Sequence, residues 1–294
     1  MTEPIAPCMK CEFVIVVGAE DLYSGADRHN KLMFAQSGIR YTKSWGPKFD
    51  RTTVFMFNGR CAIRFNVTKD GAEKASYFKD GYTEAQIAAT KASVERYGGI
   101  FSTASSWGDV AGHINNRAAR IGGCEKYVQV LAFFCHGTPG RIWLANTRGE
   151  HLTADRLSAV SASSFLPEAA LPRRYLYRHV TSWACQTANG AKPAETFEGT
   201  VSQSLAQQLA DRWDINVRAS ATRTLYSAAF STGISGRYKD LTGGRRMIDG
   251  CLWEDDGADG SVTSGPTGDH PNLQQGMWQL EPGQRSGYRR LSLD

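Results

Sequence analysis

The stretch YVQVLAFFCHG, residues 127–137, decides how the rest of this chain is read. Its first eight residues are apolar but for Gln129, and rich in valine and phenylalanine. A run of this kind suits a strand covered on both faces, as in a parallel sheet flanked by helices. It leads straight into Cys135-His136-Gly137, so an imidazole sits where strand gives way to loop. A second strand is expected over residues 175–183 and ends in Ala184-Cys185. A third, FVIVV at residues 13–17, ends at Gly18.

Between these strands the sequence alternates with helical patterns. Residues 26–37 read as a helix closed by Gly38, after a polar turn over 19–25. Residues 83–97 form another, stopped by Gly98-Gly99, and residues 106–120 a third, ended by Gly122-Gly123. TVFMF (53–57) and CAIRFNV (61–67) flank Asn58-Gly59, which reads as a hairpin. A small hairpin over 141–144 and 151–153, a helix over 154–161, an amphipathic helix over 202–213 and a short strand over 215–219 follow. The alternation predicts an α/β fold, three layers deep, around a mostly parallel sheet. Residues 1–241 are read as the main domain. Residues 242–294 are read as a C-terminal extension, poor in apolar residues over 254–276, whose Trp278, Leu280 and Tyr288 form a final strand pair packing back on that domain.

Composition narrows the classes. The chain has 294 residues, 41% of them hydrophobic, which is enough for a sizeable core and argues against wholesale disorder. A net charge of +5 is too small to argue for nucleic acid. Arg173, Arg174, Arg178, Arg245 and Arg246 read as solvated surface without the interleaved aromatics of a nucleic-acid platform. No apolar stretch approaches the roughly 20 residues a bilayer requires. The first residues, MTEPIAPCMKCE, show no signal peptide, so a cytoplasmic protein, or one secreted without a classical signal, is expected. Of seven cysteines, Cys61, Cys124 and Cys135 lie in apolar company and read as small core residues. Cys8 and Cys11 form a lone CxxC that no second ligand pair completes, so no metal site is expected. The sequence contains no HExxH, P-loop, GxGxxG or GxSxG motif. His113, His151 and His179 carry no motif and read as structural.

The chemistry concentrates at two strand ends. If the strands ending in His136 and Cys185 are parallel neighbours, an imidazole and a thiol emerge on one edge of the sheet, where α/β proteins bind ligands. Such a pair can serve as acid/base and nucleophile. His136-Gly137 and Ala184-Cys185, 49 residues apart, resemble the signature of the caspase-like cysteine peptidases (clan CD), which include caspases, metacaspases, gingipains and separases. The spacing agrees with the value of about 50 known for caspases. The resemblance spans roughly residues 10–240 and fits a single-chain bacterial member. It implies a cysteine endopeptidase in which Cys185 attacks a peptide carbonyl, His136 protonates the leaving amine, and the backbone N–H groups of Gly137 and Cys185 hold the oxyanion. It further implies a protein or peptide substrate, with a protein inhibitor or activator as a further partner, and no cofactor. A regulated protease and a bacterial effector delivered into another cell both fit.

One departure is specific. Where caspases carry glutamine and metacaspases aspartate two residues before the nucleophile, this chain carries Trp183. Trp183 is therefore expected to wall the substrate pocket together with Asp21 and Asp27, whose carboxylates favour a basic residue if they face it. Two rival readings remain. Cys135 to Arg141 matches the C-x5-R loop of cysteine-dependent phosphatases, in which backbone amides and one arginine cradle phosphate, provided that a helix starts just after the arginine. A catalytically inactive, caspase-like binding or scaffold protein is the other.

Overall fold

Strand β1 (Met9–Val17) places Phe13, Ile15 and Val17 on one side and Val14 and Val16 on the other, all fully or almost fully buried. Such a strand has no solvent face and must lie in the middle of a sheet covered twice. The computed structural model describes residues 8–19, 32–58, 63–69, 72–78, 82–145, 149–170, 178–192, 194–226, 246–248, 251–253, 263–264 and 275–291. After β1 come α1 (Met33–Trp45), β2 (Arg51–Phe57), the pair β3 (Ile63–Lys69) and β4 (Ala72–Phe78), α2 (Glu84–Arg96), β5 (Ile100–Ala104), α3 (Trp107–Asn115) and β6 (Glu125–Phe134). A small sheet of β7 (His136–Thr138), β8 (Arg141–Ala145) and β9 (Glu150–Leu152) follows. Then come β10 (His179–Ser182), α4 (Phe197–Ser202), α5 (Leu205–Trp213), β11 (Asn216–Ser220), β12 (Thr224–Leu225), β13 (Arg246–Ile248), β14 (Cys251–Trp253), β15 (Thr263–Ser264), β16 (Met277–Leu280) and β17 (Arg289–Leu291).

The central sheet has eight strands in the order β17-β16-β11-β10-β6-β1-β2-β5. The six from β11 to β5 are mutually parallel, and β16 and β17 add antiparallel strands beside β11. Helices α1 and α2 cover the face bearing Ile15, Val54 and Phe134, while α3, α4 and α5 cover the face bearing Val14, Phe55 and Phe133. The protein is thus a three-layer α/β/α fold with a mostly parallel sheet. The chain builds outward from β1 through β2 to β5, then returns to the other side of β1 for β6, β10 and β11. The strand order therefore reverses at β1 and β6, and a crevice is expected at their carboxyl ends.

Several local expectations are corrected. The strand after Asn58 does not fold back on β2. Both sides of β2 are already taken by parallel partners, β1 and β5, so β3 pairs with β4 instead. Gly38 does not end the first helix, which runs on to Trp45. A Cβ on Gly38 would sit 2.8 Å from the Val17 side chain, so this glycine lets α1 lie close on β1. The helix capped by Ser106 ends at Asn115, short of the glycine pair. Residues 154–159 form 3-10 turns in place of an α-helix. Cys124 is not a lone core thiol: it is joined in a disulfide to Cys8, which divides the CxxC pair. Cys61 lies outside the described residues. Among the described residues, no helix is long and apolar enough to cross a membrane, and no group of three or more His, Cys, Asp or Glu side chains could hold a metal ion.

Candidate active site

β6 and β10 are parallel neighbours, with Phe133 opposite Ser182 and the Trp183 N–H donating to the Phe133 carbonyl at 3.0 Å. The residues that follow them, Cys135-His136-Gly137 and Ala184-Cys185, leave the sheet at the same edge. Gly137 marks how closely they approach. A Cβ built on it would lie 2.5 Å from the Cys185 carbonyl oxygen, 2.9 Å from the Cys185 nitrogen and 2.8 Å from the Ala184 Cβ. Only a residue without a side chain fits there. The backbone beside His136 and that of Cys185 are therefore in van der Waals contact.

Cys185 is half-buried, and the Thr224 N–H donates to its sulfur at 3.2 Å. The sulfur in turn lies 3.7 Å from the Thr224 carbonyl. Burial pushes the thiol above its ordinary range, and the Thr224 hydrogen bonds oppose this only in part. The next residue, Gln186, takes a left-handed backbone conformation with φ of 54°. For a residue other than glycine that is uncommon and marks a constrained turn. The turn is held by the Gln186 N–H on the Thr222 carbonyl at 2.9 Å and by two fully buried hydroxyls. Thr187 donates to the Ala184 carbonyl and meets Ser182, both at 2.8 Å.

The His136 ring packs against Phe34 of α1, with centroids 4.9 Å apart and planes at 85°. Phe34 packs the same way on Tyr226, whose hydroxyl donates to the Trp183 carbonyl at 3.1 Å. Phe34, Thr187, Thr224 and Tyr226 were not singled out in the sequence. Only Thr187, two residues past the cysteine, carried a local signal, as a hydroxyl able to bond nearby backbone.

The remaining candidates lie as follows. Trp183 is 8% exposed and belongs to the core cluster on the α1 side, near Tyr41. Asp21 and Asp27 lie outside the described residues. Cys135 is fully buried under Gly18, and burial drives its thiol far above the ordinary range. No helix follows Arg141, which begins β8. The phosphatase reading requires an accessible thiolate and a helix N-terminus behind the arginine; this segment has neither.

No family model matches the chain, and no curated protein matches it. Among solved structures, it is similar to the X-ray structure of a secreted C11 cysteine protease from Bacteroides thetaiotaomicron in complex with an irreversible peptide inhibitor. The identity is 11% and the TM-score 0.30, over 92% of this chain. The chain spans 65% of the length of that protease.

Proposed function

We propose that the chain is a cysteine endopeptidase that hydrolyses peptide bonds through His136 and Cys185. The observation that carries the reading is the contact of Gly137 with the Ala184–Cys185 backbone, which brings the ends of β6 and β10 together. In this reading Cys185 attacks the peptide carbonyl, and the backbone N–H groups of Gly137 and Cys185 receive the developing oxyanion. Because burial favours the uncharged thiol, His136 takes the sulfur's proton as attack occurs and then passes it to the leaving amine. No cofactor enters these steps. The Thr224 N–H supports the sulfur as its charge develops. Residues 1–241 would form the peptidase unit, with residues 242–294 as an extension that adds β16 and β17 to its sheet.

The test is a peptide-library cleavage assay on the wild type and on Cys185→Ala and His136→Ala. Each variant is expected to lose at least about 10³-fold in kcat/KM, the scale on which triad knockouts act in unrelated proteases. Residual cleavage by Cys185→Ala at the wild-type rate rejects the assignment. A wild type that binds peptides but cleaves none supports the inactive-scaffold alternative.

A further inference from the structure

The β7–β8–β9 sheet has two different faces. Ile142, Leu144 and Leu152 are fully buried against the core, whereas Arg141 is exposed and Trp143 and His151 are half-exposed. The pairing sets His136 opposite Trp143, Trp143 opposite His151, and Thr138 opposite Arg141. Directly opposed residues of antiparallel strands lie on the same face. His136, Trp143 and His151 therefore form one row across three strands, roughly 10 Å wide at the usual strand spacing.

The indole of Trp143 is fixed in this row. Its Nε1–H donates to Thr138 Oγ1 at 3.2 Å, and the His151 ring meets it at 5.6 Å with planes at 61°. Burial, with the charges of Arg141 and Arg156, lowers the His151 pKa from its ordinary value, and the Glu150 carboxylate opposes this only in part. The surface beside His136 is thus an aromatic wall with its indole already held, bordered by the exposed Arg141, and it needs little ordering to receive a ligand.

The row also has a direction. Cys185 follows β10 and His136 follows β6. β8 lies over the end of β1: the Ala19 N–H donates to the Leu144 carbonyl at 2.7 Å, and a Cβ on Gly18 would meet the Trp143 carbonyl at 3.0 Å. The segments that carry Cys185, His136 and Trp143 therefore follow one another along the sheet edge in the order β10, β6, β1. The imidazole that protonates a departing amine stands on the amine side of the broken bond. What lies beyond it faces the residues that leave.

We infer that this face binds the substrate residue just after the scissile bond, and that Trp143 selects an apolar or aromatic side chain there. The inference rests on the peptidase reading above and adds a specificity to it. The test uses internally quenched peptides that differ only in the residue after the cleaved bond, Phe or Leu against Gly or Asp. The wild type is expected to prefer Phe over Gly by about tenfold or more in kcat/KM, equivalent to ~1.4 kcal/mol. Trp143→Ala is expected to bring that ratio within about twofold, and Trp143→Phe to keep most of it, while preference at the residue before the bond stays as in the wild type. A melting curve accompanies each variant. If Trp143→Ala does not fold, Thr138→Val frees the indole in its place and is expected to lower the ratio about threefold. A wild type indifferent to the residue after the bond, or a ratio unmoved by Trp143→Ala, overturns the inference. Failure of the peptidase reading looks different, because the wild type then cleaves none of the peptides. In that case the same peptides are titrated onto Cys185→Ala. Phe-peptide binding that weakens with Trp143→Ala retains the platform, and binding indifferent to it removes the platform.

Discussion

At the amino end of the parallel strands, Glu12 is fully buried among cations; at the carboxyl end of the same strands stand His136 and Cys185. Glu12 accepts from Arg51 at 2.7 Å, from Thr53 at 2.6 Å and from His113 at 3.0 Å, with the Lys126 ammonium 3.4 Å away. The Cys8–Cys124 disulfide ties the same end of β1 to the turn before β6. Burial alone would raise the Glu12 pKa, but hydrogen bonds from His113 and Arg51, with the charges of His113 and Lys126, hold it at about 2. The hydrogen bonds from His113 and Arg51 do more than the Lys126 charge to hold the carboxylate. The carboxyl end has a different construction: a left-handed Gln186, a glycine pressed on backbone, and a half-buried thiol. One end is over-determined by charge and covalent bond. The other holds strained geometry that persists only because its surroundings fix it.

Short of removing His136 or Cys185 themselves, the largest loss of rate should come from Gly137→Ala. The new methyl must displace the Cys185 carbonyl from 2.5 Å, which shifts the groups around the sulfur. Displacements of about an ångström at a reacting centre cost on the order of 10²-fold in rate. We expect kcat/KM to fall by about that factor or more, with only a modest drop in melting temperature. A variant that cleaves normally would mean that the close contact is packing alone.

Glu12→Gln probes the opposite end. It leaves the cations around it without their carboxylate, and removing one partner of a buried pair costs about 3–5 kcal/mol. Urea unfolding should show that loss. The pH dependence has a definite sign. The folded-state pKa lies below the ordinary value of 4.5, so the stabilisation is fully present above about pH 5 and is lost as pH falls through 4.5 towards 2. The wild type should lose about 3 kcal/mol over that window through this group, and Glu12→Gln should lack that component. An identical acid profile in the two proteins would remove the cluster from the stabilising end.

The two ends were not equally legible in the sequence. YVQVLAFFCHG announced a covered strand and its terminal imidazole, because continuous apolar runs and strand ends are local signals. The pairing of β2 was misread for the same reason: Asn58-Gly59 is a strong local turn signal, but the parallel partners of β2 are distant in sequence. Nothing near Glu12 announced its cluster, since Arg51, His113 and Lys126 are brought to it only by the sheet and α3. Cys8 and Cys124 stand 116 residues apart, and Cys124 in isolation looks like any core thiol. At the carboxyl end, Phe34, Thr224 and Tyr226 reach the candidate dyad from other elements, so no spacing rule finds them.

Reducing the Cys8–Cys124 bond should have a smaller effect than Glu12→Gln, and on stability alone. A disulfide such as Cys8–Cys124 is typically worth about 2–4 kcal/mol. Cys8→Ser with Cys124→Ser should lower the unfolding free energy by that amount and leave kcat/KM within about twofold, given the distance of both residues from the site. Loss of cleavage in the folded double variant would show that the two ends are coupled, which nothing in the bonding between them requires.

The finest test separates strain from its support within the carboxyl end itself. Thr187→Val keeps the shape of the side chain and deletes the hydroxyl that bonds the Ala184 carbonyl and Ser182. All of these groups are buried, so the carbonyl and the serine each lose a partner that water cannot replace. The expected cost is about 1–2 kcal/mol in stability. If the two hydroxyls serve only packing, kcat should be unchanged. If they hold the turn that puts Gln186 into its left-handed conformation and aims Cys185, kcat should fall several-fold while KM stays near the wild-type value, because the proposed platform around Trp143 is untouched. Thr187→Ser, which restores the hydroxyl and removes only a methyl, should recover kcat and leave part of the stability loss. That separation of rate from stability is the signature of a residue that positions the nucleophile.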